Sequence, residues 1–357
     1  MRERQQKKLP FFLYCCIGCY GMKIESDYSL LSHNTFALQA LCRWFVEYRS
    51  VEELQTILRD EYFREQPFLH IGGGSNLLFV HDFDGIVLHS KIEHITVLEE
   101  NKHEVDFLVG AGILWDDLVA YCVKNGWYGA ENLSLIPGET GAAAIQNIGA
   151  YGVEIKDLIR TVHVVDIVSG KEERLTNSDC RYAYRTSIFK EELKEKKIVT
   201  GVHLHLSKQE KYSIEYGNIK EKLITSGILS LQAVREAIIA IRSEKLPDWK
   251  IYGNAGSFFI NPSVALPFFE ALKERYPSIQ GYLFENETVK IPAAWLIEQC
   301  GWRGKRTGNV GVWPLQPLVL VNYGGASGAE IASLADTVKQ SVMKKFGIEL
   351  TPEVMYV

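Results

Sequence analysis

Cysteine is scarce in this sequence and forms no framework. Seven cysteines occur in 357 residues, an odd number, with a single C-x-x-C pair, Cys16 and Cys19, and no second pair to complete a four-ligand site. Disulfide scaffolds and structural zinc sites need cysteines at paired spacings, so both are excluded as organising features. Four cysteines lie inside periodic apolar segments, which predicts buried free thiols and a reducing compartment. They are Cys42, Cys122, Cys180 and Cys300.

Net positive charge is also missing. The formal net charge is -5, so the chain has no overall attraction for nucleic acid or anionic lipid, although a local cluster of Lys and Arg can still bind a small anion. We therefore expect small-molecule ligands, with no nucleic-acid partner and no membrane partner. We also expect a cytoplasmic monomer without a metal site.

The first residues lack a run that could cross a membrane. Residues 1–21, "MRERQQKKLPFFLYCCIGCYG", begin with basic residues, and the uncharged stretch that follows is shorter than the roughly 20 residues that a bilayer requires. One interpretation is a weak signal peptide, in which "CIGC" resembles a lipoprotein cleavage box. The other is that translation starts at Met22 and residues 1–21 are dispensable. We favour the second, because the later sequence has a cytosolic character.

The sequence does contain helix and strand patterns in alternation, without an internal repeat. With 46% hydrophobic residues it is long enough for two or three domains. Helical periodicity or capping signals occur at 50–63, 114–126, 230–245 and 327–347, and the helix at 230–245 carries Val234, Ile238 and Ile241 on one face. Strand patterns occur on both sides of residues 72–76 and at 85–90, 94–112, 161–176, 196–207 and 348–357, with a turn at Asn101. These patterns predict a mixed α and β protein, with a polar linker near 207–216.

Two glycine-rich stretches indicate a cofactor site. "GGGSN" at 72–76 follows a strand, and its unobstructed N–H groups could cradle a phosphate, although a tight turn explains the pattern as well. It is not a dinucleotide fingerprint, because the third glycine would fall on Leu77. "IPGETGAAAIQNIGAYG" at 136–152 concentrates glycine and alanine, which lets the backbone approach a large flat ligand.

Several motifs in order resemble one family. These are "NTF" at 34–36, "GGGSNLL", "IPGETGAAAIQNIGAYGVE", "YRTSIFK", "GNAGSFFINP" and "TPEV". Together they resemble the UDP-N-acetylenolpyruvoylglucosamine reductases, flavoenzymes that complete UDP-N-acetylmuramic acid for peptidoglycan. The resemblance covers Asn34 to the end, and "YGN" at 216–218 resembles a tyrosine loop of the type I branch.

The resemblance implies an α+β fold with an FAD-binding domain of the vanillyl-alcohol oxidase and p-cresol methylhydroxylase type, in two lobes, followed by an α+β substrate-binding domain. It implies FAD as cofactor, NADPH as hydride donor, and domains at 38–208 and 209–357, with the last strand returning to the FAD domain. The residues that it assigns to FAD are Gly72, Gly73, Gly74, Ser75, Asn76, Pro137, Gly138, Gly141, Ala142, Asn147, Gly149 and Ala150.

The resemblance also assigns the catalytic roles. Arg185 would hold the substrate carboxylate, Glu353 would polarise that carboxylate or hold a proton, and Ser257 would donate a proton from a loop with little side-chain bulk. Each has a plain alternative: a surface ion pair for Arg185, a solvated carboxylate for Glu353, and a helix or turn cap for Ser257. Relatives often carry arginine where this chain has Met355.

Six residues are implied to bind the UDP sugar, and solvated side chains are the alternative for each lysine. They are Tyr151, Tyr216, Arg242, Lys245, Asn261 and Lys290, with Gln299 as a weaker addition. Two other functions stay open: a related flavin-fold protein that binds without turnover, and an oxidase with a covalent flavin tether. A tether requires His or Cys, and none occurs at 136–152, although His70 precedes the first glycine loop.

Overall fold

The computed structural model describes residues 22–284 and 287–357. The prediction for residues 1–21, including Cys15, Cys16 and Cys19, lies outside this range. Two compact units are formed from interleaved segments. The first contains residues up to 28, 41–73 and 83–242, and the second contains 29–40, 74–82 and 243–357. The predicted domain boundaries 38–208 and 209–357 stay a prediction.

Strands and helices are numbered in chain order over the described residues. The strands are β1 Lys23–Ser29, β2 Leu41–Tyr48, β3 Phe68–Ile71, β4 Leu77–Leu78, β5 Phe83–Ser90, β6 Ile95–Glu100, β7 Glu104–Gly110, β8 Gly149–Ala150, β9 Val153–Glu154, β10 Ile159–Asp166, β11 Glu172–Thr176, β12 Lys197–Ser207, β13 Ser263–Ala265, β14 Tyr282–Phe284, β15 Thr288–Lys290, β16 Arg306–Thr307, β17 Val310–Val312, β18 Leu320–Asn322 and β19 Met355–Tyr356. The helices are α1 Val51–Arg59, α2 Glu61–Arg64, α3 Trp115–Lys124, α4 Thr140–Gln146, α5 Ile219–Ser226, α6 Leu231–Lys245, α7 Leu266–Arg275, α8 Ala293–Gln299 and α9 Gly328–Phe346.

The first unit contains a four-stranded sheet in the order β1-β2-β5-β3, in which β5 runs parallel to both β2 and β3. Helix α1 begins as the sequence predicts, since the Ser50 hydroxyl accepts a hydrogen bond from the Glu53 N–H. The predicted single helix over 50–63 is wrong. Asp60 is extended and its carboxylate accepts a hydrogen bond from the Phe63 N–H, so it ends α1 and caps α2.

A second sheet of the first unit is antiparallel, in the order β11-β10-β12-β7-β6. The predicted turn at Asn101 is confirmed, because its side-chain oxygen accepts hydrogen bonds from the N–H groups of His103 and Glu104. Alternate residues such as Val162 and Val202 enter a core that also contains residues of α3 and α4. Helices α5 and α6 share a smaller apolar cluster that includes Val234, Ile238 and Ile241, the face predicted from the sequence.

The second unit is built around α9 and three small sheets. The sheet orders are β13-β15-β14, β16-β17-β18 and β19-β4. The α9 helix begins with a reciprocal capping box between Ser327 and Glu330 and ends at Gly347 in the left-handed conformation, as predicted. Its apolar face packs in a core with Phe36, Phe258 and other buried residues.

The cysteines follow the sequence prediction with one exception. Cys42, Cys122 and Cys180 are buried, and burial raises the pKa of their thiols to about 12, about 12 and about 11. Cys300 is only partly buried, and its thiol donates a hydrogen bond to the Ser341 carbonyl. Within 22–284 and 287–357, no helix has both the length and the apolar character needed to cross a bilayer, and no cluster of His, Cys, Asp or Glu could hold a metal ion.

Candidate active site

The first glycine loop begins directly after β3 and approaches the second loop closely. A Cβ atom on Gly73 would lie 3.3 Å from the Gly138 Cα, and one on Gly72 would lie 3.2 Å from the Ala142 Cβ. No acceptor for the N–H groups of Gly72 and Gly73 exists among the described residues. The first unit therefore presents bare backbone donors where two loops meet, an arrangement that suits a phosphate.

The second loop leads into α4, whose first N–H groups already have partners. The Thr140 N–H donates to the Ile113 carbonyl and the Gly141 N–H donates to the Ala111 carbonyl. A Cβ on Gly141 would lie 2.7 Å from the Ala111 Cβ. Close packing against Ala111 is thus sufficient reason for glycine at position 141, whereas Pro137 is exposed and Gly138 is partly exposed.

Asn147 ends α4 in the left-handed conformation and is fully buried. Its amide group donates to the Ala183 carbonyl and to Glu154, and its oxygen accepts from the Lys156 N–H. These contacts give its side chain an internal role. The β8–β9 hairpin follows, and it turns at Tyr151 and Gly152 with φ of 49° and 81°, as a type I′ turn requires.

Arg185 lies in a tight turn and has a φ of 58°, a conformation that L-residues adopt at a cost of about 1 kcal/mol. Its guanidinium donates a hydrogen bond of 2.7 Å to the Gly149 carbonyl, and the Lys190 ammonium donates to the Arg185 carbonyl. The side chain is partly exposed and lies 5.6 Å from the Tyr184 ring centroid. Arg185 is thereby held beside the end of the second glycine loop.

Tyr151, Tyr216 and Arg242 come together in the first unit. The two tyrosine rings meet edge to face at 6.5 Å, and Tyr216 is 63% exposed. Arg242 is half-buried, and its Nε has no partner in the part of the chain that the structure describes. Burial lowers the pKa of Arg242, and the positive charge of Arg185 acts in the same direction. An anionic ligand would relieve both effects.

In the second unit, Ser257 lies on a segment that is fixed on both sides by backbone contacts. The Phe258 N–H donates to the Leu318 carbonyl, and the Phe258 carbonyl accepts from the Glu353 N–H. Phe258 and Phe259 are fully buried, whereas Ser257 is exposed. Ser257 begins no helix among the described residues, and its hydroxyl has no hydrogen bond to any of them. The predicted alternative of a capping serine is therefore wrong.

The two glycines near Ser257 are required for different reasons. A Cβ on Gly253 would lie 2.1 Å from the Phe36 carbonyl oxygen, whereas Gly256 has open space but a φ of 67°. Asn254 is buried, donates to the carbonyls of Pro247 and Tyr252, and accepts from the Gly256 N–H. Gly253 is required because another part of the backbone lies too close for a side chain, and Gly256 is required by its positive φ. Together these constraints hold the loop in one conformation.

Glu353 precedes β19, whose Met355 and Tyr356 run parallel to Leu77 and Leu78 of β4. The Asn76 amide donates to the Glu353 carbonyl over 3.0 Å, and the Met355 N–H donates to the Asn76 carbonyl. Gly74 starts this turn, and a Cβ there would lie 1.9 Å from the His33 carbonyl oxygen. The turn 74–76 therefore positions the backbone of Glu353.

Comparison with known proteins decides the family. Residues 43–176 match the family model "FAD binding domain", and residues 248–357 match "UDP-N-acetylenolpyruvoylglucosamine reductase, C-terminal domain". The reductase of that name from Bacteroides fragilis strain YCH46 is 51% identical over 334 residues, 94% of this chain and 100% of the relative. This chain belongs to the UDP-N-acetylenolpyruvoylglucosamine reductase family. It is an oxidoreductase with an FAD-binding domain and a family-specific C-terminal domain.

Other reductases of the family agree. The Porphyromonas gingivalis ATCC 33277 enzyme is 47% identical over 337 residues, 94% of this chain and 100% of the relative. The crystal structure of the reductase from Thermus caldophilus is 22% identical, has a TM-score of 0.66, and covers 94% of this chain and 99% of that chain. It shows the same fold.

The bare amides of Gly72 and Gly73 fit the FAD of a reductase of this family. His70 lies just before them, but its Nε2 is 2.8 Å from the Tyr48 hydroxyl, and burial lowers its pKa to about 3. Burial raises the pKa of Tyr48. The Tyr48 hydroxyl therefore engages this neutral histidine.

The remaining residues predicted for substrate lie in the second unit. Lys245 is exposed, and its carbonyl accepts a hydrogen bond from the Trp313 indole. The Asn261 side-chain oxygen accepts from the Ala293 N–H at the start of α8, so it also has a structural role. Lys290 is partly exposed on β15, and Gln299 is exposed at the end of α8.

Sequence reasoning did not single out two residues that lie near the predicted ones. Tyr184 is exposed beside Arg185, and its position next to that arginine in "AYRTS" was an available signal. Asp116 of α3 accepts two hydrogen bonds from Arg235, at 2.7 and 2.9 Å, and one from the Leu135 N–H. Asp116 thereby joins α6 to the start of the second glycine loop, which no local pattern indicates.

Proposed function

We propose that the chain catalyses the NADPH-dependent, FAD-mediated reduction of UDP-N-acetyl-3-O-(1-carboxyvinyl)-glucosamine to UDP-N-acetylmuramate, a step in peptidoglycan precursor synthesis. One observation carries the proposal: Ser257 presents an exposed, unbonded hydroxyl on a backbone fixed on both sides, with Glu353 on the adjoining segment. A proton donor needs this combination of access and fixed position.

When bound, FAD supplies hydride from NADPH to the terminal CH2 carbon of the enolpyruvyl group. Negative charge then develops on the neighbouring carbon and on the carboxylate attached to it. Arg185 would stabilise that charge, because the planar fork of donors of a guanidinium matches a carboxylate. Its bond to the Gly149 carbonyl holds the guanidinium beside the end of the second glycine loop.

Ser257 would deliver the proton that completes the reduction. The carbon next to the carboxylate gains this proton, so the double bond receives one hydride and one proton in total. A serine hydroxyl is a weak acid, but an enolate is basic enough to accept its proton when the donor lies within hydrogen-bond reach. Solvent can then restore the hydroxyl, because Ser257 is exposed.

Glu353 would help to polarise the substrate carboxylate or hold a proton. Its backbone is fixed by the bonds to Phe258 and Asn76, so its side chain starts from a defined position. Met355 provides no charge where relatives often have arginine, so this chain lacks that positive group. Arg185 would then carry a larger share of the anion binding.

The UDP sugar would be bound by cations and aromatic rings. Arg242, with its enclosed and unbonded Nε, suits a diphosphate oxygen, and Tyr216 is exposed enough to cover a bound nucleotide sugar. Lys245, Asn261, Lys290 and Tyr151 complete the proposed substrate residues. The reaction also supports a cytoplasmic location, because NADPH and UDP sugars are held inside the cell, and we propose that the enzyme acts there as a monomer.

The visible spectrum of the purified protein tests this function. NADPH should bleach the flavin absorbance near its oxidised maximum, and the enolpyruvyl sugar nucleotide should restore it without oxygen. A protein that binds FAD and substrate without bleaching would be a binding relative and not a reductase. A protein that is bleached by NADPH but restored only by oxygen would contradict the proposed substrate.

A further inference from the structure

Three buried groups of the first unit form a chain of contacts that the proposed reaction does not use. Glu47 of β2 and His89 of β5 are paired residues of adjacent parallel strands. The His89 Nδ1 is 3.1 Å from the Glu47 carboxylate, and its Nε2 is 2.8 Å from the Glu139 carboxylate. His89 is 3% exposed and Glu139 is 4% exposed. An imidazole thus lies between two carboxylates, away from water.

The two contacts fix how many protons the group must hold. An ionised carboxylate only accepts hydrogen bonds, and a neutral imidazole has one donor nitrogen. Both contacts are therefore satisfied when the three groups share two protons, with a total charge of minus one, whether the imidazole holds both protons or one carboxyl holds one of them. Loss of either proton would leave two lone pairs facing each other in a buried site, which is strongly unfavourable.

Glu139 places this group directly behind the two glycine loops. It immediately precedes α4, and its carboxylate would lie 3.3 Å from a Cβ on Gly72. The Gly138 carbonyl next to it accepts a hydrogen bond from the Trp115 N–H. The spacing between Gly73 and Gly138 therefore depends on a residue whose side chain His89 holds.

Other charged and titratable groups face this cluster from neighbouring strands. Lys23 of β1 lies 3.9 Å from the outer oxygen of Glu47 and is the cation on the solvent side. His70 of β3 and Tyr48 of β2 are bonded to each other, and the pKa of His70 is low because of burial and the proximity of His89. His70 thus stays neutral and adds no charge to the cluster.

We propose that His89 is a positioning residue for FAD: held between Glu47 and Glu139, it fixes the Glu139 carboxylate in its position beside Gly72 and keeps it from binding the phosphate-binding amides of Gly72 and Gly73. Without it, the unpaired carboxylate would turn toward those amides, compete for them and repel the pyrophosphate. The inference rests on the FAD-binding domain and does not depend on the proposed substrate.

Titration of FAD into apoprotein, followed by flavin fluorescence, tests the role without any activity measurement. His89→Phe should raise the Kd for FAD by at least roughly tenfold, since it leaves Glu139 unpaired. His89→Gln can donate to only one carboxylate and should give a smaller loss. The double variant His89→Phe/Glu139→Gln should recover much of the affinity, because the repelling charge is gone. Restoration by a second substitution separates this role from general damage to the fold.

The chain offers a matched control on the other sheet. His203 of β12 contacts Asp106 of β7 through its Nε2 at 2.9 Å, a similar pair remote from the glycine loops in sequence. His203→Gln should leave the Kd for FAD unchanged. An unchanged Kd in His89→Phe, or a double variant no better than His89→Phe, would overturn the proposal.

Discussion

Arg185 and Ser257 are held in place by opposite means. Arg185 lies in a turn with a positive φ and is anchored through side chains, by its own bond to Gly149 and by the Lys190 ammonium. Ser257 is anchored through the backbone of the next residue, which is bonded on two sides, and its hydroxyl has no bond within the described residues. An arginine proposed to bind a carboxylate can adjust its side chain, whereas a proposed proton donor gains from a fixed position.

Because of this difference, the two residues should be sensitive to different kinds of substitution. Substitutions around Arg185 should act through charge, and substitutions around Ser257 should act through backbone shape.

Arg185→Ala should have the largest effect on activity. It removes a charge-assisted contact that strengthens as the enolate forms, raising the barrier by about 3 kcal/mol or more. The kcat/KM for the enolpyruvyl substrate should fall by more than roughly a hundredfold. Arg185→Lys should recover only part of it, since lysine cannot make a bidentate contact. A fully active lysine variant would argue against the fork geometry.

Ser257→Ala should slow one half of the reaction and spare the other. NADPH should still bleach the flavin at nearly the normal rate, while reoxidation by the enolpyruvyl substrate slows by roughly a hundredfold, the scale for loss of a positioned general acid. Stopped-flow absorbance measures both halves. Ser257→Cys should keep part of the second step. Normal reoxidation in the alanine variant would leave Ser257 with a structural role only.

Gly253→Ala and Gly256→Ala should separate close approach from backbone conformation. A methyl group at 253 meets the Phe36 carbonyl oxygen, so we expect a loss of about 2 to 3 kcal/mol in the free energy of unfolding. At 256 there is space, and the positive φ should cost about 1 kcal/mol. Urea denaturation compares them, and equal losses would contradict this account of the loop.

Acid should destabilise the contacts of Asp116 with Arg235 and Leu135 before it affects the backbone hydrogen bonds of Phe258. Burial alone would raise the pKa of Asp116, but the Arg235 guanidinium and the Leu135 N–H outweigh it and lower the pKa. The ionised Asp116 carboxylate therefore stabilises the folded state fully above its unfolded-state pKa of about 3.9. This stabilisation is lost as the pH falls through the lower pKa of Asp116 in the folded state. Hydrogen exchange of the Leu135 amide should accelerate there before that of Phe258. Asp116→Asn should show fast Leu135 exchange at every pH.

Local signals explain why much of the fold was predictable. The cap at Ser50, the turn at Asn101 and the left-handed end at Gly347 each depend on residues within a few positions, so the sequence alone indicates them. The break at Asp60 was missed because its carboxylate serves as the cap of a second short helix, and helical periodicity continues across it.

The arrangement of the site was less predictable for two physical reasons. Asp116 and Arg235 are 119 residues apart, and no local pattern encodes which charges meet over such a distance. Tyr151 and Arg185 have positive φ values, which residues other than glycine rarely adopt. Turn rules that look for glycine therefore do not predict these two turns. The candidate residues themselves came from resemblance, and their roles stay predictions.

The parallel pairing of β19 with β4 has a consequence for synthesis. Asn76 and Glu353 are 277 residues apart, yet each contributes to the other's position. While the protein is being translated, the segment 74–80 has no strand beside it until the chain extends at least to residue 356. Translation proceeds at about 5–20 residues per second, so the backbone groups of segment 74–80 stay without their partner strand for many seconds. An unpaired strand can form incorrect pairings during that time.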